Sequence, residues 1–210
     1  MRNTIAVAAG LALTLTSAGA WAQEFGHSGT FAISAERVFG FFYEDTEWDP
    51  PAPAGRNEVK YTTFGFGWGE PHTAYTVPRF AVDYFVIDSL SIGGTLTYYH
   101  TSRDDDNPNN NNDDTWGTFL FSPRVGYAIP FAEIAGFWPR GGFTYVNHQD
   151  GNDWDELALT LEAMFWLSPA EGMAFVLGPT LDFGITGEQD PNTDIQNTVV
   201  GVSVGLMGWL

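Results

Sequence analysis

The sequence predicts an all-β protein, an eight-stranded antiparallel up-and-down transmembrane β-barrel preceded by a cleavable signal peptide. Between Thr30 and Leu210, apolar and polar residues alternate in successive segments, so each predicted strand has one apolar and one polar face. Short connections alternate with long polar ones, which is typical of barrels that cross an outer membrane. Beyond the N-terminal region no apolar run is long enough for a spanning helix, so any membrane span must consist of strands.

The N-terminal region has the layout of a secretory signal peptide. Arg2 supplies a positive charge, residues 5–15 are almost wholly apolar or small, and Ala20-Trp21-Ala22 forms a cleavage site of the A-x-A type. The apolar run is too short to span a membrane as a helix. The sequence therefore predicts a signal peptide at residues 1–22 and one barrel domain at residues 23–210. The absence of cysteine excludes acylation at cysteine and disulfide bonds.

The hairpin at residues 75–100 shows the alternation most clearly. Phe80 and Val82 share one face of its first strand, whereas Arg79 and Asp83 share the opposite face. Apolar side chains on one face and small or charged ones on the other are expected where the apolar face touches lipid and the polar face lines the lumen.

The first predicted strand, residues 30–43, is less regular than the others. Phe31, Ile33, Phe39 and Phe41 fall on one face, but Arg37 interrupts that apolar face. A charged side chain there predicts a β-bulge near residues 36–37, because a bulge changes which side chains point inward.

The number of strands follows from the length of the connections. Nine segments have the strand pattern, whereas a single-chain bacterial barrel has an even number of strands. With the short turns near Asp88, Glu133 and Glu171 on the periplasmic side, residues 59–68 belong to an extended outer loop and form an additional β segment above the rim. A ten-stranded barrel is the alternative. The nine segments are residues 30–43, 59–68, 75–86, 90–101, 116–129, 137–148, 156–167, 173–185 and 197–210.

The inward faces of the predicted strands carry charges of both signs. An unpaired buried charge is costly, and the interior of an eight-stranded barrel is just filled by side chains. The sequence therefore predicts a lumen closed by a network of ion pairs, with a narrow selective pore lined by the same residues as the alternative. The predicted network consists of Glu36, Arg79, Asp83, Arg124, Arg140, Glu162 and Asp182.

The outer loops contain most of the acidic residues. The formal net charge is -18, which argues against nucleic acid as a partner. Carboxylate and amide oxygens such as those of residues 102–115 are ligands for divalent cations, although a solvated loop explains the same composition. The histidines do not show the spacing of metal ligands, and we predict no cofactor and no dedicated metal site.

Aromatic side chains predict two belts at the membrane surfaces. The outer belt would contain Tyr98, Trp116, Tyr145 and Phe183, and the inner belt would contain Tyr84, Tyr127, Phe137, Trp166 and Trp209.

A short motif recurs at the predicted strands: PRFAVDY at Pro78, PRVGY at Pro123, PRGGFTY at Pro139 and PTLDFG at Pro179. With this pattern over residues 30–210, the chain resembles the small outer-membrane β-barrels of the OmpA/OmpX/OmpW type. The resemblance implies a monomer in the outer membrane, in contact with its lipid and lipopolysaccharide. It further implies a structural or surface-interaction role, or limited passage of small solutes, and no enzymatic activity.

Two other functions are alternatives. His100-Thr101-Ser102 is similar to the His-x-Ser pair of barrels that deacylate lipid A, but no acid is clearly placed to orient the histidine. A secreted barrel that carries a ligand would need large apolar residues inside and polar ones outside, the reverse of the predicted arrangement.

Overall fold

The structure, a computed structural model, describes residues 25–50, 55–67, 74–103, 114–149, 153–189 and 193–210. The predicted signal peptide lies outside the described residues. Nearly all of the described chain forms β-strands, and none of its helices is long and apolar enough to cross a membrane. The strands are β1 (Phe31–Asp49), β2 (Asn57–Phe66), β3 (Arg79–Ile87), β4 (Leu90–Arg103), β5 (Asp114–Tyr127), β6 (Ile129–Ala132), β7 (Ala135–Gln149), β8 (Trp154–Ala170), β9 (Met173–Gln189) and β10 (Thr193–Trp209).

The strands form one antiparallel sheet that closes on itself. The order is β10-β9-β8-β7-β5-β4-β3-β1, and β1 pairs with β10 from Ala32 opposite Trp209 to Asp49 opposite Asp194. Tight turns at residues 88–89, 133–134 and 171–172 lie at one end of the barrel, together with Phe25 and Leu210. We call this end the turn end and the opposite end the loop end. The prediction of an all-β antiparallel barrel is confirmed.

Two of the eight wall positions are each shared by two strands. β6 follows β5 after an interruption at Ala128 and pairs with β7, as β5 does. β2 pairs with the loop-end half of β1, and β3 pairs with the turn-end half of the same β1 edge. The wall therefore has eight positions, although ten strands can be distinguished.

The position of β2 differs from the prediction of a β segment above the rim. Phe39 of β1 lies opposite both Phe66 of β2 and Val204 of β10, so β2 reaches down to a level that is lined by apolar wall residues. β2 is thus the outer half of an interrupted wall strand whose inner half is β3. Among the described residues, β2 pairs only with β1, and β4 pairs with β3 only as far as Leu96.

Between β2 and β3 the chain turns into the lumen. A single 3-10 turn at Ala74–Thr76 is buried inside the barrel, and β3 begins only at Arg79. The prediction that the strand begins at Tyr75 is therefore wrong at this end. Pro78 is buried and immediately precedes β3. Because proline lacks a ladder donor, it is suited to the position just before pairing starts.

The two faces of the wall have opposite character. Phe80 and Leu161 are each 45% exposed on the outer surface, whereas Arg79 and Glu162 are buried inside. An apolar exterior and a charged interior match a barrel surrounded by lipid. The soluble ligand carrier, which would need the reverse arrangement, does not fit this structure.

Candidate functional site

The lumen is filled by three layers of side chains. An apolar layer at the turn end contains Ala32, Phe85, Ala128, Trp138, Met164, Trp166, Ala174, Val176 and Met207. A second apolar layer at the loop end contains Phe42, Ala74, Tyr75, Leu120, Val146, Ala158 and Val199. Between them lie eight charged side chains, which we call the charge layer: Glu36, Arg37, Arg79, Asp83, Arg124, Arg140, Glu162 and Asp182.

Arg124 is the centre of the charge layer. Its guanidinium lies 2.7 Å from a carboxylate oxygen of Glu36, 2.5 Å from Asp83 and 3.2 Å from Glu162. β5 carries this arginine on its inward face, and the three carboxylates come from three other strands. One buried cation therefore links four wall positions, and its short charge-assisted hydrogen bonds are of the strong kind.

Arg140 shares two of these carboxylates. It lies 2.6 Å from Glu36 and 3.0 Å from Glu162, and its guanidinium carbon is 4.5 Å from the centroid of the Trp138 ring. A guanidinium at this distance from an indole gains from a cation–π interaction. Trp138 thus joins the charge layer to the apolar layer below it.

Asp182 is shared by Arg37 and Arg79. Arg37 lies 2.6 Å and Arg79 3.7 Å from its carboxylate, and Thr160 donates to it over 2.7 Å. Arg37 also lies 3.6 Å from Glu162. All seven residues of the predicted network are buried in the lumen, and each contacts at least one charged residue of opposite sign.

Arg37 belongs to the charge layer, although alternation along the strand assigned it to the apolar face. Residues 36–38 of β1 lie opposite the single residue Gly205 of β10, which is the β-bulge predicted there. Arg37 adopts a φ of 54°, a left-handed conformation that is uncommon for residues other than glycine, and its side chain is buried. Four arginines therefore face four carboxylates, and the charge layer is balanced. The high cost of an arginine in contact with lipid was the signal that pointed to this position.

Glu156 anchors the inward turn of the chain. Its carboxylate accepts hydrogen bonds from the Tyr75 hydroxyl at 2.5 Å, the Asn197 backbone NH at 2.7 Å and the Asn197 side chain at 2.9 Å. The Tyr75 carbonyl oxygen accepts a hydrogen bond from Arg37 on its other side. Glu156 was absent from the predicted network, although its alternation with Leu157 already indicated an inward side chain.

Phe25 closes the turn end of the lumen. The centroid of its ring lies 4.9 Å from that of Trp166, 5.1 Å from Phe85, 5.2 Å from Trp138 and 5.5 Å from Trp209. The prediction that Trp166 belongs to a lipid-facing belt is wrong, since it is buried between the outward Phe165 and Leu167. Aromatic strand propensity alone does not reveal which face a ring occupies.

The loop end carries charges on its outer surface. Carboxylate oxygens of Asp45, Glu47 and Glu58 lie within 4.8 Å of one another. Lys60 pairs with Glu58 and lies 3.6 Å from Asp45, and Arg56 pairs with Glu47. Local cations therefore neutralise much of this cluster. The acidic tract at residues 104–113 lies outside the described residues.

His100 lies on the outer face of β4, opposite Gly117 of β5. In the part of the chain that the structure describes, no carboxylate forms an ion pair with His100. A histidine base needs a third group to orient it, and no carboxylate in the described ranges provides that contact. The side chain of Ser102 lies outside the description.

The comparisons with known proteins bear on the fold. No protein-family model and no curated protein sequence matches the chain. Among solved structures, the chain is similar to Neisserial surface protein A, with a TM-score of 0.50 and 10% identity over 86% of this chain and 99% of that chain. It is also similar to the outer membrane protein OprG from Pseudomonas aeruginosa, with a TM-score of 0.51 and 12% identity over 88% of this chain and 98% of that chain.

The outer membrane protease OmpT from Escherichia coli is less similar, with a TM-score of 0.44 and 6% identity over 87% of this chain and 97% of that chain. Identities this low carry no information about activity. With the closed antiparallel wall and its apolar exterior, the likeness to Neisserial surface protein A and OprG leads to one conclusion: this chain has the fold of the small β-barrel proteins of the bacterial outer membrane, as the sequence predicted.

Proposed function

We propose that this chain is an integral outer-membrane barrel with a closed lumen, whose role is structural or is exercised at its outer surface. The turn end would face the periplasm and the loop end the outside. The observation that carries the proposal is the balanced charge layer between two apolar layers.

The energetics of the charge layer support a closed lumen. Removal of one partner from a buried ion pair costs about 3–5 kcal/mol, because a charge is left without compensation. A hydrated solute would have to separate pairs such as Arg124–Glu36, and would also have to displace rings such as Phe25 and Tyr75. The lumen is therefore a support that holds the strands together rather than a path for solutes.

The outer surface is the remaining place for function. Lipid and lipopolysaccharide are the expected partners of the apolar wall. Divalent cations are the expected partners of loop carboxylates that have no basic side chain nearby. The closed ring favours a monomer, since few strand edges remain for pairing with another chain.

Conductance tests the closed lumen. The refolded chain is inserted into planar bilayers, and insertion is verified by heat-dependent gel mobility. We expect no conductance steps at any voltage, whereas steady steps would establish the narrow pore instead.

A pair of double variants shows whether the charge layer contributes to the barrier. Glu36→Ala/Arg124→Ala should leak ions from loaded liposomes, because it leaves space for water within the charge layer. Glu47→Ala/Arg56→Ala removes an exposed ion pair of the same charges and should not leak. Equal leakage from both variants, or none from either, would show that the charge layer does not contribute to the barrier.

We propose no catalytic role. The lipid-modifying alternative depends on His100, and His100→Ala should leave the lipid A composition of the cell unchanged. A change in acylation that Tyr98→Ala, a neighbouring outward-facing substitution, does not cause would restore the enzymatic alternative.

A further inference from the structure

The turn end carries an apolar projection that the barrel itself does not cover. β6 and the following turn continue past the end of β4, β6 pairs with β7 alone among the described strands, and all four of its residues are exposed. Phe131 is 65% exposed and Ile134 is 56% exposed. Contiguous exposed apolar surface marks a contact with another protein or with the membrane.

A cleft of about 870 Å³ lies beside this projection. Phe25, Trp166 and Trp209 line its inner side, and Phe131 and Ile134 line its outer side. The cleft is therefore continuous with the projection, and an occupant that covers both must be larger than a small molecule.

The walls of the cleft are fixed to one another by hydrogen bonds. The Ser168 NH donates to the Ile134 carbonyl at 2.7 Å, which ties the end of β8 to the projecting turn. The Ser89 NH donates to the Gly26 carbonyl and the Ala128 NH to the Ser89 carbonyl, each at 2.7 Å. A preformed surface loses little conformational entropy when a partner binds.

The rim of the cleft is acidic. Asp88, Glu133 and Glu171 line it, and His27 lies 3.6 Å from Asp88. No lysine or arginine lies among the described residues of this end. Segments that attach to anionic lipid headgroups are basic, so an acidic rim is unsuited to that contact. Opposite charge favours a basic partner instead.

We propose that the turn end is a docking site for a basic polypeptide segment of a periplasmic partner. An aromatic or branched apolar side chain of the segment occupies the cleft against Trp166 and Trp209. Flanking lysines or arginines pair with Glu133, Glu171 and Asp88. This function is separate from the closed lumen, because it uses only the outer side of the turn-end apolar layer.

The test uses the full chain refolded in phosphatidylcholine nanodiscs and one synthetic peptide, in which lysines alternate with leucines around a central phenylalanine. Because the chain has no cysteine, Ala132→Cys provides one site for a bimane label at the cleft. Asn57→Cys provides a matched site at the loop end. We expect a saturable change of fluorescence at position 132, weakened by salt, and no saturable change at position 57.

Two double variants, each in the Ala132→Cys background, locate the contacts. Phe131→Ser/Ile134→Ser and Glu133→Gln/Glu171→Gln should each weaken peptide binding about tenfold, because they remove the apolar anchor and the opposite charges respectively. Asp45→Asn/Glu58→Gln removes the same number of charges at the loop end and should leave the affinity unchanged. Equal affinity of all three variants would overturn the proposal.

Lipid is the competing occupant. Quenching of the bimane at position 132 by lipids that carry a nitroxide in the acyl chain, unaffected by the peptide, would show that the projection is immersed in the bilayer. That result would overturn the docking site and leave the closed lumen intact. Absence of quenching, together with a saturable change of the bimane fluorescence on addition of the peptide, would support the docking site.

Discussion

The guanidinium of Arg37 lies 2.6 Å from the carboxylate of Asp182, although simple alternation along β1 assigns Arg37 to the lipid face. The contact joins β1, the first strand of the wall, to β9 in the last hairpin, 145 residues away in the sequence. It also makes the number of buried cations equal to the number of carboxylates in the charge layer.

Replacement of Arg37 should destabilise the barrel strongly. In Arg37→Met, Asp182 keeps an ion pair only with the more distant Arg79. We therefore expect the free energy of unfolding to fall by about 3–5 kcal/mol. Urea titration of the refolded protein in lipid measures this change. Arg56→Met removes a cation from an exposed pair and should change stability by less than about 1 kcal/mol. Equal changes in the free energy of unfolding would show that the ion pairs in the lumen contribute no more to stability than the exposed pair.

Arg37 and Asp182 should also be energetically coupled. In a double-mutant cycle with Arg37→Met and Asp182→Asn, the double variant should lose less stability than the sum of the two single losses, by about 1–3 kcal/mol. The reason is that the second substitution removes the charge that the first one left unpaired. Additive losses would contradict a direct interaction.

Phe25 should stabilise the turn end through its four aromatic neighbours. Phe25→Ala should cost about 2–3 kcal/mol, less than the roughly 3–5 kcal/mol for truncation of a fully buried phenylalanine, because the ring is only partly buried. The emission of Trp138 and Trp166 should shift to longer wavelength as water reaches them. Phe131→Ala removes an exposed ring and should change stability by no more than about 0.5 kcal/mol. An unshifted emission maximum in Phe25→Ala would contradict the packing of Phe25 against these tryptophans.

Gly142 should not tolerate a side chain. A Cβ atom there would overlap the backbone carbonyl oxygen of Pro123 on the neighbouring strand, which cannot move without opening the ladder. Gly142→Ala should therefore cost about 1–3 kcal/mol. At Gly65 of β2 nothing lies within 4 Å of the same position, so Gly65→Ala should be neutral or slightly stabilising. Heat-dependent gel mobility compares the two variants directly.

Alternation was sufficient to predict the wall and the inward face of most strands. A strand has a period of two, and lipid requires the apolar face to point outward, so positions such as Asp83 and Arg124 could be assigned without a structure. Short turns likewise fixed the direction of each strand. These signals are local, and each is repeated in several strands.

The departures from prediction occur where the chain leaves the regular ladder. The bulge in β1 was predicted, but its three residues opposite Gly205 rotate Arg37 inward, and the length of a bulge is not encoded by periodicity. Tyr75 satisfied the strand pattern, yet its hydroxyl finds Glu156 inside the barrel. A contact between residues so distant in sequence cannot be read from either segment alone.

The interrupted strand has a consequence for any attempt to turn this barrel into a channel. Ala74 and Tyr75, which fill the loop-end half of the lumen together with inward side chains of the wall, belong to the stretch of chain that connects β2 to β3. No separate plug domain among the described residues can be cut away, and deletion of the blocking turn would sever the wall. A conducting form must therefore be made one side chain at a time, with the backbone left whole.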